Sequence, residues 1–429
     1  PNRAAVSSAG MPLSTARWIK EIHSNVLEKD ALVEIGDSQS QRGNTLFPKF
    51  DLRLVDDLVL TKTTDASILA IDFKTGNIRW PFFRKGMPYA FAEQSFSTDF
   101  ENAASTISPE IQDRVWGSSA YGQMSCDMER VYAVFDHGRE TRSRGMQFET
   151  SNVLVGLSIP SEGTLLWTVG GEDGGSEPWL RNAYFLGPPL PYEGDLYCLV
   201  EAQGQMQLVV LDDETGRRLW SQQLAHSTFP PIAADSLRRS QALSPAISDG
   251  MLLCPTGLGA LVAVDLFDRS LAWATYYGSN TPASTGEFIA RSTLDNASDY
   301  NPMSIRWHDP TMLAQDGVVV VTPLELNRVI CCDIFSGERR FAMLNRNHAR
   351  YIAGIADGYI VAVGDRHLAW FRIADGKQIL GPDYPDGRVV VGRGVWEGNE
   401  LLLPLSGQAV VRVGTHHGSG EVLDMAQVD

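Results

Sequence analysis

The stretch Ala70-Ile71-Asp72-Phe73-Lys74-Thr75-Gly76-Asn77-Ile78-Arg79-Trp80 decides the fold, because it returns along the chain. Further copies keep Asp212, Gly216 and Trp220, then Asp265 and Trp273 with Arg269 in the glycine place. The copy at Gly163 and Trp167 lacks the Asp. The copy at Asp333 and Gly337 ends in Phe341, and the copy at Gly376 ends in Leu380. A last copy around Gly420 has no aromatic, which makes seven in all. An apolar run before the Asp reads as a strand. The Asp bonds the backbone of a tight turn, Gly takes its left-handed position, and Trp begins the next strand. A large flat indole there is expected to pack on the neighbouring unit.

Two further apolar runs precede each copy. Asp249-Gly250, Asp316-Gly317 and Asp357-Gly358 stand between such runs, which is a hairpin signal. Each unit therefore reads as four antiparallel strands, the blade of a β-propeller. Trp167, Trp220 and Trp273 are spaced by 53 residues each, near the length of one blade. The expectation is an all-β, seven- or eight-bladed propeller forming a single domain over 1–429, with blades over 51–424. Residues 1–50 are read as a closing strand and connector. In that segment Trp18, within 15–20, is expected to form a fourth strand that pairs with the C-terminal strands.

The phrase resembles the tryptophan-docking motif of quinoprotein (PQQ-like) propellers, and the PQQ-like repeats of the bacterial outer-membrane assembly lipoprotein family. The resemblance covers about Phe50 to Leu423. It implies either a scaffold for envelope assembly or a dehydrogenase holding PQQ over the axis with Ca²⁺, an Asp base and often a disulfide between adjacent cysteines.

Composition narrows the choice. With 43% hydrophobic and 21% charged residues, the 429-residue chain affords a large core. A net charge of −16 argues against nucleic acid, which needs clustered Lys and Arg. No apolar stretch is long enough for a membrane span. The start at Pro1 reads as the edge of a processed or longer chain, so membrane association would come through a missing N-terminal anchor.

The chemistry-bearing residues form no catalytic signature. Cys126, Cys198, Cys254, Cys331 and Cys332 give no C-x-x-C pair, and the histidines give no metal spacing. Cys198 and Cys254 follow Gly194 and Gly250 by four residues and read as equivalent buried strand positions. Cys331-Cys332 replaces the Ala-Val that precedes Asp265, so the pair reads as strand hydrophobes. The loop with Glu172, Asp173 and Glu177 lacks a calcium-loop pattern.

Function is instead expected on loops. Three stand out, over 81–127, 171–191 and 277–312. The candidate partner contacts are Trp179 and Arg181 in the second, and Tyr300, Arg306, Trp307 and His308 in the third. The resulting expectation is an exported, periplasmic or extracytoplasmic monomer that binds a protein partner and carries no cofactor. A PQQ- and calcium-dependent dehydrogenase and a carbohydrate-binding propeller are the alternatives.

Overall fold

A computed structural model describes residues 5–6, 17–23, 26–41, 47–64, 67–83, 113–136, 151–226, 232, 235–278, 307–308, 310–344, 349–415 and 422–427. They form two compact units, one of Pro1–Arg17, Gly43–Phe47 and Ala246–Asp429, the other of Trp18–Arg42 and Pro48–Pro245. The fold is a seven-bladed β-propeller, which settles the choice between seven and eight. Blades 1 to 3 lie in the second unit. They span Leu52–Phe82, Met124–Gly170 and Tyr184–His226. Blades 4 to 7 lie in the first and span Ala246–Tyr276, Thr311–Leu344, Ala349–Asp383 and Val395–Gln427.

The hairpins form as the Asp-Gly pairs dictate. Ser248 pairs with Met251, Gln315 with Val318 and Ala356 with Tyr359, leaving two-residue loops. Asp249 and Gly250 take φ +52° and +76°, and Asp316 and Gly317 take +55° and +72°. Positive φ at both central residues is the turn whose twist matches antiparallel strands.

The third and fourth strands of blades 1 to 5 carry a feature the sequence does not announce. A bulge falls just before the aromatic. Ala70 pairs with Trp80 while Ile71 pairs with Ile78, so Arg79 has no partner. The same skip occurs before Trp167, Trp220, Trp273 and Phe341. A bulge re-aims the side chain that follows it. The residue opposite the aromatic is small in four of these five blades: Ala70, Gly156, Ala263 and Cys331. A Cβ on Gly156 would stand 2.4 Å from the Trp167 ring.

Re-aimed in this way, four of the five aromatics reach the turn glycine of the next blade. A Cβ on Gly163 would lie 2.5 Å from Trp80, on Gly216 2.8 Å from Trp167, on Gly337 2.4 Å from Trp273, and on Gly376 2.7 Å from Phe341. The indole N–H completes the seat. Trp167 donates to the Asp213 carbonyl and Trp273 to the Ile334 carbonyl, both at 2.9 Å. Both carbonyls follow the turn's first residue directly. Arg269, in the glycine place, still adopts the left-handed conformation at φ +54°.

The N-terminal expectation needs correction. Residues 17–23 form no strand. Blade 7 draws its outer strand, Val422–Gln427, from the C-terminus, and that strand already fills the edge of Ala409–Gly414. Trp18 nevertheless acts as a docking residue from irregular chain. Its ring covers Gly76, where a Cβ would be 2.6 Å away, and its N–H donates to the Phe73 carbonyl at 2.9 Å. Ala5–Val6 adds in parallel to Val395–Trp396, and Val26–Gln41 is a helix where a connector was expected.

Two glycine variants separate contact from conformation. Gly337→Ala meets both the Trp273 ring and a φ of +69°, and should destabilise by about 2–4 kcal/mol. Gly358→Ala has a similar φ of +79° with nothing within 4 Å, and should cost only about 1 kcal/mol. Urea unfolding of both checks the difference.

Candidate functional site

The turns that receive the aromatics consume their own polar chemistry. Asp72 Oδ1 accepts from the Lys74 and Thr75 amides at 3.1 and 2.8 Å and from the Thr75 hydroxyl at 2.8 Å. Its Oδ2 accepts from Arg79 at 2.8 Å. Asp333 repeats the pattern with the Phe335 and Ser336 amides, the Ser336 hydroxyl and Arg340. Asp212 and Asp265 accept from the equivalent turn amides. In blade 6 the roles are inverted: Arg372 stands in the Asp place and pairs with Asp375.

The electrostatics follow. The Thr75 hydroxyl and amide, with Arg79, hold the Asp72 carboxyl at about 2. The Ser336 amide and Arg340 hold Asp333 at about 2. Arg372 and the Lys377 amide do the same for Asp375, also about 2. Such acids stay ionised and occupied, so they are poor general acids. They are turn locks.

The 171–191 loop is fully described. Glu177 accepts from the Trp179 amide at 3.3 Å and from the Arg218 amide at 3.0 Å. The Arg218 guanidinium lies 4.0 Å from the centre of the Trp179 ring. Trp179 is 36% exposed, and Arg181 is exposed beside it. Asp173 closes its own turn on the Gly175 amide. Among the described residues no three acidic, histidine or cysteine groups assemble into a metal site.

The 277–312 loop divides. Tyr300 and Arg306 lie outside the described residues. Trp307 is 2% exposed, and its N–H donates to the Arg328 carbonyl at 3.0 Å. It anchors the end of the loop and has no face to offer a partner. His308 is half-buried, its ring 4.9 Å from Phe47 and its amide bonded to the Arg350 carbonyl. Sequence reasoning singled out Trp307 for its company of aromatics and charges. The partner that fixes it sits twenty-one residues away on a blade 5 strand.

Two aromatics that sequence reasoning passed over are the conspicuous surface feature. Phe267 is 94% exposed and Phe335 is 60% exposed. Each stands two residues after the turn Asp, Asp265 and Asp333, in the neighbouring blades 4 and 5. Exposed phenylalanines at matching turn positions are detectable from the repeat alignment alone.

Cys331 and Cys332 lie in the strand Arg328–Asp333, buried as free thiols. Burial pushes both thiols up, to about 12 and about 11. Cys331 is the small residue beneath Phe341, which accounts for its size.

Residues 151–295 match a family model described as outer membrane protein assembly factor BamB. The repeats over that stretch are of the PQQ-like type. Among solved structures, BamB from Moraxella catarrhalis is similar to this chain at 12% identity, covering 86% of this chain and 84% of that one, with a TM-score of 0.50. The dihydro-heme d1 dehydrogenase NirN in complex with DHE is similar at 10% identity, covering 89% and 67%, also at 0.50. At such identities the likeness is one of fold. No curated protein matches the sequence.

The lowered turn acids set a pH dependence. A carboxyl held below its unfolded value stabilises the fold fully above that value, near 4. The contribution is lost as pH falls from about 4 through about 2, the value of Asp72 and Asp333. Urea midpoints should be level above pH 5 and drop between pH 4 and 2. In Asp72→Asn/Asp333→Asn the drop should shrink, because the neutral amides have no ionisation to lose.

Proposed function

We propose that this propeller is a non-catalytic scaffold of the cell envelope that holds a protein partner, in the manner of an outer-membrane assembly factor. The observation that carries this reading is the pair Phe267 and Phe335. Their turns satisfy their own polar groups internally, so what each turn offers outward is a rigid apolar ring. Aromatic anchors held on rigid scaffolds suit protein recognition, where a few such residues dominate affinity. The BamB family model over 151–295 supports the same reading.

Trp179, Arg181, Tyr300, Arg306 and His308 are proposed as further contacts, with Trp307 as the anchor of the 277–312 loop. Export to the periplasm and a monomeric state belong to the proposal. No helix among the described residues is long and apolar enough to cross a membrane. The net charge of −16 favours a partner surface that is basic around an apolar patch.

Phe267→Asp/Phe335→Asp should fold with an unchanged urea midpoint, both rings being exposed. It should bind the outer-membrane assembly machinery of its source organism at least tenfold more weakly than the parent chain. Equal binding by both would remove these turns from the interface. Calorimetric titration with PQQ and Ca²⁺ should give no binding heat. A micromolar or tighter site would overturn the scaffold reading in favour of a quinoprotein dehydrogenase.

A further inference from the structure

We infer that the second unit contains a buried site for a small monocarboxylate, between the short helices Ser119–Gly122 and Ser236–Ser240. The two helices pack against each other. Around them, the buried side-chain atoms with no hydrogen-bond partner include six on four residues: Ser118 Oγ, Ser119 Oγ, Arg238 Nε and Nη1, and Gln241 Nε2 and Oε1. Ser118 is 2% exposed, Ser119 and Arg238 1%, and Gln241 0%. Each residue flanks or belongs to one of the two helices.

Other bonds tie the helices to one place. Glu201 pairs with Arg238 Nη2 through one oxygen and accepts the Ile232 amide at 3.0 Å with the other. Tyr184 lies directly opposite Glu201 in the sheet register. Its hydroxyl is 3.3 Å from that of Tyr121, which shares a helix with Ser119. Strand pairing and these side-chain contacts tie helix Ser119–Gly122, Tyr184, Glu201 and Arg238 to one another.

Buried polar atoms in folded proteins are almost always bonded, and each unmade bond costs about 1–3 kcal/mol. The concentration of six therefore calls for an occupant. The set is rich in donors: three N–H bonds on the two Arg238 atoms, two on the Gln241 amide, and two hydroxyls free to rotate. An occupant that mainly accepts fits them, and hydrogen bonds to an ionised acceptor are the strong ones.

Charge limits its valence. Arg238 and Lys62 are offset by Glu201 and Asp235. Lys62 Nζ is held by the Tyr121 and Val134 carbonyls, and Asp235 caps the Arg238 amide. A balanced, buried set admits one negative charge more readily than two. That favours a monocarboxylate over sulfate or a phosphate dianion.

Thermal melts of the whole chain test this in sodium acetate, formate, sulfate, phosphate and chloride at matched ionic strength. Acetate or formate should raise Tm saturably, and the other salts should not. Gln241→Leu removes two orphaned atoms while leaving the Glu201–Arg238 pair intact. Its Tm without carboxylate should equal or exceed the parent's, and its affinity for acetate should fall at least tenfold. Ser119→Ala should weaken acetate binding in the same direction, and serves if Gln241→Leu does not fold. An acetate response no larger than that to chloride overturns the proposal, as does undiminished acetate binding in the folded variants.

Discussion

Everything in this fold depends on an aromatic ring meeting a backbone that carries no Cβ. The contact acts at both ends. The ring crosses a small residue of its own third strand, then covers a left-handed glycine of the following blade. Its N–H caps a carbonyl that the turn leaves free. Apolar burial alone would let neighbouring blades slide, since a sheet face is a broad greasy surface. A flat ring that fits only over a glycine, with one directed hydrogen bond, sets one registry between blades.

Much of this was legible because the repeat writes it in fixed order. Asp, Gly and Trp at set intervals specify the turn, the left-handed residue and the docking ring, and the structure places Trp80, Trp167 and Trp273 accordingly. The bulge was hidden, because it is a register shift and leaves no residue type of its own. Trp18 was half legible: its ring docks on a turn as the repeat tryptophans do, but the segment carrying it is no strand. Strand pairing was inferred from the docking residue, and the two turn out to be separable. The outer edge of blade 7 was already occupied.

The site was less legible than the fold, for a physical reason. Loop length and aromatic content mark a segment as unusual without saying which way a ring faces. Trp307 faces inward because a carbonyl of Arg328 meets its N–H. Phe267 and Phe335 face outward from turns whose backbone amides are locked by Asp265 and Asp333. The unpaired groups near Gln241 were beyond reach of sequence, since helix Ser119–Gly122, Glu201 and Arg238 come together only through the packing of separate segments.

The parallel pairing of Ala5–Val6 with Val395–Trp396 joins residues at nearly opposite ends of the chain. The other six sheets close over short stretches, each from its own hairpins. Among the described residues, blade 7 is the sheet in which early and late residues share a ladder. Ladders between distant residues form late, after the entropy of a long loop has been spent. As the chain emerges residue by residue, the segment at 5–6 must therefore wait for its partner until Val395–Trp396 has been made.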